Sequence, residues 1–261
     1  MTADINIVWL GALASLLAGL ATGIGALAVF FVKDLSTRLQ DCMLAGAAGV
    51  MLAASVFSLL IPGLEYGEVL LGSTWAAALL VIFGVLSGAG ALYYLHQNLP
   101  HEHFNLGPEG PDAAHIRRIW LFIIAITLHN FPEGMAVGVG FAGGDVRNGY
   151  VLALGIGIQN IPEGLAVAFS LIAIQYSRVR AFTIALLTGL AEPIGGLFGA
   201  ALVSLAEPIM PWTLGFAAGA MLFIISNEII PETHRSRYKA QTTFALLIGF
   251  VVMMFLDVTL G

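Results

Sequence analysis

Eight apolar stretches of about 20 residues follow one another along this chain, each long enough to cross the hydrocarbon core of a bilayer. They cover residues 5–32, 43–62, 69–95, 119–142, 149–173, 181–206, 210–230 and 240–260. In lipid every backbone polar group must be satisfied internally, so stretches of this length are read as helices. Of 261 residues, 59% are hydrophobic and 10% are charged, against about 25% charged in soluble proteins. The mean hydropathy is +0.93. The expected fold is therefore all-α, a polytopic bundle of eight transmembrane helices in a single domain over residues 1–261. Only residues 97–118 form a long polar connection, holding His101, Glu102, His103 and His115, and this loop is the one candidate for disorder.

The basic residues orient the bundle. Lys33, Arg38, Arg117, Arg118, Arg178, Arg180, Arg235, Arg237 and Lys239 fall in connections after odd-numbered spans, and only Arg147 falls on the other side. By the positive-inside rule both termini face away from the cytoplasm, as in a multi-pass protein of the cell (inner) membrane. A net charge of −6 with scattered Lys and Arg speaks against nucleic acid as a partner. The lone Cys42 permits no internal disulfide, and no cofactor is called for. The opening residues lack the basic segment of a signal peptide, so the first apolar stretch is read as a retained span.

Chemistry is concentrated inside the spans, which carry no Lys or Arg but do carry Glu133, Glu163, Glu192, Glu228 and Asp257, with His129 as the single imidazole. A carboxylate in the bilayer centre costs several kcal/mol unless something relieves its charge, and here only cations and protons are available. His129, Asn130 and Glu133 share one helix face at spacings of three and four residues. Gln159, Asn160 and Glu163 repeat that face 30 residues later, with Pro132 matched by Pro162 and Gly134 by Gly164. Because consecutive spans are antiparallel, the two copies meet at similar depth around an inverted two-fold, as in transporters with broken helices at the midplane. Each proline also frees a carbonyl, that of Leu128 or Ile158. Glu192-Pro193 in the sixth span adds a third glutamate. This oxygen and nitrogen donor set without thiolate favours zinc, iron, manganese or cadmium over cuprous ion.

At these residues the chain resembles the ZIP (Zrt/Irt-like) family of divalent metal transporters, most of all its bacterial members. The likeness rests on Leu128-His-Asn-Phe-Pro-Glu-Gly-Met-Ala-Val137, Ile158-Gln-Asn-Ile-Pro-Glu-Gly-Leu-Ala-Val167, Gly189-Leu-Ala-Glu-Pro-Ile-Gly195 and Glu228-Ile-Ile-Pro-Glu-Thr-His234. The resemblance implies a binuclear centre, with His129, Glu133, Gln159 and Glu163 on the transported ion and Asn130, Asn160 and Glu192 on its neighbour. It places Met51 and Ser58 along the pathway, Met51 as a thioether ligand. It also implies a homodimer and an elevator-like motion of the ligand-bearing spans. Two positions depart from the family pattern. Asn160 stands where an acid is common, and Asn227 where a histidine often precedes the seventh-span glutamate, leaving Glu228, Glu232 and His234 for an exit-side position. Glu65 and Asp257 are read as an acidic mouth on the outer side.

The function expected is uptake of divalent metal ions, zinc foremost, into the cytoplasm. No Gly-x4-Gly-Lys-Ser/Thr loop is present, so the chain cannot itself drive transport with ATP. A membrane-embedded binuclear metallohydrolase would use similar donors but needs a nucleophile or recognition domain that the sequence does not offer. A passive metal channel would share the site and differ in kinetics. An enzyme is accordingly not expected.

Overall fold

One left-handed residue, Gly72 (φ 63°), separates the second helix from the third. The computed structural model describes residues 2–32, 36–98, 101–103, 107–109, 118–142, 146–173, 176–205, 207–233 and 238–260. The helices are α1 (Thr2–Ala26), α2 (Thr37–Leu71), α3 (Thr74–Asn98), α4 (Arg118–Ala142), α5 (Val146–Ala173), α6 (Arg178–Gly189 and Ala191–Leu205), α7 (Met210–Ile224, continued to Thr233) and α8 (Lys239–Leu260). Seven of these are long and apolar enough to cross a membrane over their described residues, and α4, at 25 residues, has the length of the eighth. The chain is thus a polytopic helical membrane protein.

Several local signals explain the boundaries. Ser36 caps α2 by accepting from Leu39 N at 3.3 Å, and Ser177 caps α6 by accepting from Arg180 N at 3.4 Å. Gly72 closes α2 with its N–H on Glu68 O at 2.9 Å, after which the chain turns into α3 at Thr74. The expected third span, 69–95, therefore starts too early: Val69, Leu70 and Leu71 belong to α2. It also ends too early, because α3 continues through His96 to Asn98. The polar connection contains a short antiparallel hairpin, β1 (His101–His103) with β2 (Gly107–Glu109), where no ordered element was expected. Pairing within the loop satisfies backbone groups that have no helix to join.

The prolines act differently from place to place. Helices α4 and α5 run unbroken through Pro132 and Pro162, whereas α6 is interrupted at Leu190, just ahead of Glu192-Pro193. The expected breaks at the paired motifs are therefore absent from α4 and α5, and the one interruption beside a glutamate of the centre lies in α6. A missing N–H removes one hydrogen bond, and neighbouring helices can hold the rest of the turn in place. In α2 and α7 a wider π turn precedes each proline, Ser55–Leu60 before Pro62 and Ile225–Ile229 before Pro231. Such turns are frequent at functional sites.

Packing divides the helices into two groups. Helix α1 packs on α4, α5 and α6, and α4 packs closely on α6; α2 pairs with α8 and α3 with α7. Exchanging α1 with α6, α2 with α7, α3 with α8 and α4 with α5 turns the pair α4/α6 into α5/α1 and α3/α7 into α8/α2. The helix pairings thus carry the inverted repeat. With lipid as apolar as leucine, close association depends on small residues that let backbones touch. A Cβ on Gly164 would overlap the Thr22 carbonyl, and one on Gly134 the backbone of Glu192. The ligand-bearing helices are therefore held backbone to backbone against α1 and each other.

Candidate metal centre

Within the first group, α4, α5 and α6 bring the expected donors together in the interior. Asn130, Glu133, Asn160 and Glu192 are fully buried, and Gln159 and Glu163 nearly so. His129 lies on α4 one residue before Asn130, but its side chain is outside the described residues.

A relay of hydrogen bonds joins the second motif copy to the third glutamate. Gln159 Nε2 donates to Asn160 Oδ1 at 2.9 Å. Asn160 Nδ2 in turn donates to Glu192 Oε1 at 2.6 Å and to the Ala18 carbonyl at 2.9 Å. Both amide hydrogens and the oxygen of Asn160 are thus in use, and its visible task is to fix Glu192 against α1. Glu192 sits in the first turn after the α6 break, where exposed N–H groups favour a negative side chain.

Other polar atoms at the centre have no such partner. Gln159 Oε1, Glu192 Oε2 and both amide atoms of Asn130 are buried without a hydrogen bond among the described residues. An unsatisfied buried polar atom costs about 1–3 kcal/mol. The carboxylates also repel: Glu163 lies in the field of Glu133 and Glu228, and Glu192 in the field of Glu133 and Glu163. Oxygen atoms without donors, beside clustered acids, form the environment a divalent cation relieves. Among the described residues no three His, Cys, Asp or Glu side chains converge closely enough to hold an ion by themselves. The amides Asn130 and Gln159 are the described neutral donors beside them.

A model of the ZIP zinc transporter family matches residues 95–257, well over half of the chain. The chain belongs to the ZIP family. Among curated proteins, the zinc transporter ZIPB of Bordetella bronchiseptica is 47% identical over 92% of this chain and 78% of its own length. The zinc transporter GufA of Myxococcus xanthus is also 47% identical, over 96% of this chain and 99% of its own. The human zinc transporter ZIP11 is 36% identical, over 92% and 94%. Membership of a transporter family also separates this chain from the metallohydrolase alternative.

Around the centre of this ZIP protein the remaining expected residues separate. Met51 is wholly buried in the main apolar cluster on α2. Ser58 Oγ donates to the Asp257 carboxylate, joining α2 to α8, and Asn148 Nδ2 of α5 donates to the Ser58 carbonyl at 3.0 Å. Glu65 lies exposed in the C-terminal half of α2 rather than in a loop. Asn227 is exposed and Glu228 buried, both in the π turn of α7. The Glu232 side chain and all of His234 are outside the described residues.

His96, which the sequence groups with His101 and His103 as a receiver of ions at the cytoplasmic loop, is instead buried, and its Nε2 lies 2.7 Å from Glu228 Oε1. Its ring stands edge-on to Phe223 of α7, with centroids 5.3 Å apart. His129 is therefore not the single imidazole in the membrane-spanning helices. The signal was present: Ala77, Val81, Gly84, Gly88, Leu92 and His96 make one buried stripe at helical spacing.

Proposed function

We propose that this ZIP protein carries divalent metal ions, zinc foremost, across the cell (inner) membrane into the cytoplasm. The observation that carries this reading is the buried meeting of two copies of one donor face with Glu192, leaving unpartnered oxygens on Gln159, Glu192 and Asn130. Its donor types also suit iron, manganese and cadmium. The relatives reported above are all named zinc transporters.

In this reading the transported ion exchanges its water for His129, Glu133, Gln159 and Glu163. Asn130, Glu192 and the shared glutamates form a neighbouring position, to which Asn160 contributes its oxygen only by releasing Gln159. Neutral Asn160 and its bonds to Glu192 favour a single tightly held ion over two. Met51 lines the path from α2, and Ser58 with Asp257 stands at its outer mouth. An inside-negative potential of 100 mV favours inward movement by about 2.3 kcal/mol per charge, hence about 4.6 kcal/mol for a divalent ion. Helices α1, α4, α5 and α6, packed backbone to backbone, move as one body against α2, α3, α7 and α8, exposing the ions to each side in turn.

The test is uptake by purified protein in liposomes containing a zinc-sensitive dye. Saturable, slow entry that Glu133→Ala and Glu163→Ala abolish supports the carrier. Non-saturating flux would replace it with a channel, and flux unaffected by either substitution would remove the centre from the pathway.

A further inference from the structure

Helix α5 runs from the mouth to the centre and measures the distance between them. Asn148 at its start holds the Ser58 carbonyl, beside the hydroxyl that binds Asp257. Gln159 belongs to the centre and stands about 16 Å further along, at 1.5 Å per residue. Between the two lies Gly155, one turn before Gln159, and the side chain facing it is Met253 of α8. A Cβ on Gly155 would overlap the Met253 sulfur and methyl carbon, and would lie 3.7 Å from Val50 of α2, the neighbour of Met51. Met253 is fully buried, so its thioether fills the seam where α5 meets α2 and α8. On α8 itself Met253 and Asp257 are four residues apart and share a face. The thioether therefore stands between the mouth residues and the donors of the centre, on the boundary between the two helix groups.

We propose that Met253 is a specificity-determining residue of the pathway: its sulfur touches the ion between Asp257 and Gln159 and raises the preference for soft divalent ions, cadmium above zinc. This inference rests on the transport reading above and adds to it a residue outside the central donor set. A leucine or isoleucine would fill the same seam, but neither offers a lone pair. A thioether is polarisable and is a soft donor, whereas Asp257, Gln159 and the glutamates offer oxygen. Zinc and cadmium carry the same charge, so the carboxylates attract both, and the softer ion gains more when sulfur replaces water. Methionine is also unbranched, with three rotatable bonds, so its end swings aside without a shift of the helix that bears it. Gly155 gives that end its room, having no Cβ of its own.

The experiment measures entry of zinc and of cadmium, each alone, into liposomes holding the full chain, with kcat/KM for each ion. Met253→Leu and Met253→Ile both remove the sulfur and keep an apolar side chain of similar volume, a change that cores tolerate well. Zinc bound per chain, counted by dialysis, shows which variant keeps its centre, and that variant carries the test. Loss of zinc binding in both would make Met253 a packing residue and overturn the inference. The expected result is a cadmium-to-zinc ratio of kcat/KM about tenfold below that of the native chain, the effect of one lost contact. An unchanged or raised ratio overturns the inference, even where both ions slow together, because packing damage does not distinguish them. A native chain that carries zinc and not cadmium overturns it as well. If the native chain carries neither ion, the transport reading fails instead, and the two failures are told apart.

Discussion

Asn148 on α5 donates its side-chain amide to the main-chain oxygen of Ser58 on α2 at 3.0 Å. That oxygen is available because Pro62, four residues later, has no N–H to bond it. The contact joins the two helix groups near the start of α5, beside the Ser58 hydroxyl that serves Asp257. Arg147, the adjacent residue, adds hydrogen bonds to the Thr259 and Leu260 carbonyls at the end of α8.

Asn148→Leu would leave the buried Ser58 carbonyl without its donor. A loss of about 1–3 kcal/mol is expected. Thermal unfolding in detergent should show a lowered midpoint, and Asn148→Gln should recover part of it. An unaltered midpoint for the leucine variant would mean that another group or water replaces the amide.

Asn160→Asp would place a second carboxylate against Glu192, where a 2.6 Å hydrogen bond now stands. Without metal the variant should be less stable than the native protein. With zinc present the order should reverse, because the new acid supplies an ionised ligand in place of an amide. Dialysis should then count one more zinc per chain, and an unchanged count would argue that Asn160 lies off the second position.

Gly164→Leu would drive a side chain into the Thr22 backbone, and Gly134→Leu one into the backbone of Glu192. In each case backbone and not a movable side chain is the obstacle. Overpacking of this kind typically costs about 1–3 kcal/mol. Both variants should unfold at lower temperature and bind zinc more weakly, whereas Gly90→Leu, with nothing within 4 Å of its added Cβ, should do neither.

Zinc held by carboxylates and a neutral imidazole competes with protons for the same atoms. Apparent affinity should therefore weaken as the pH is lowered, and binding should release protons into a weakly buffered solution. Calorimetry in buffers of different ionisation enthalpy measures that release directly. No buffer dependence would mean that the ion displaces no protons from its ligands.

Much of this arrangement was legible in the chain because two signals are strong. Apolar runs of bilayer length place the spans, and His129-Asn-Phe-Pro-Glu133 with Gln159-Asn-Ile-Pro-Glu163 places the donors on two matching faces. Hydropathy was blind to the turn at Gly72, since Val69 to Leu71 continue the apolar run, and to the end of α3, since His96 reads as polar. Burial of His96 follows from its stripe on α3 and from the α7 partner, a tertiary relationship that no single segment encodes. The π turns in α2 and α7 were hidden for a similar reason, because proline announces a missing bond and not how the preceding turn adjusts. That Asn160 is consumed in holding Glu192 required the third helix to be in place.

The two helix groups are interleaved along the chain, and this bears on how the protein is made. As α1, α2 and α3 leave the ribosome, none of their principal partners yet exists: α1 awaits α4, α5 and α6, α3 awaits α7, and α2 awaits α8. Apart from the contact of Gly67 in α2 with Ala77 in α3, the glycine faces of these early helices must remain in lipid until their later partners have followed. Completion of the fold therefore depends on its last helix, and a chain truncated before α8 would leave α2 without its mate and be a natural substrate for membrane quality control.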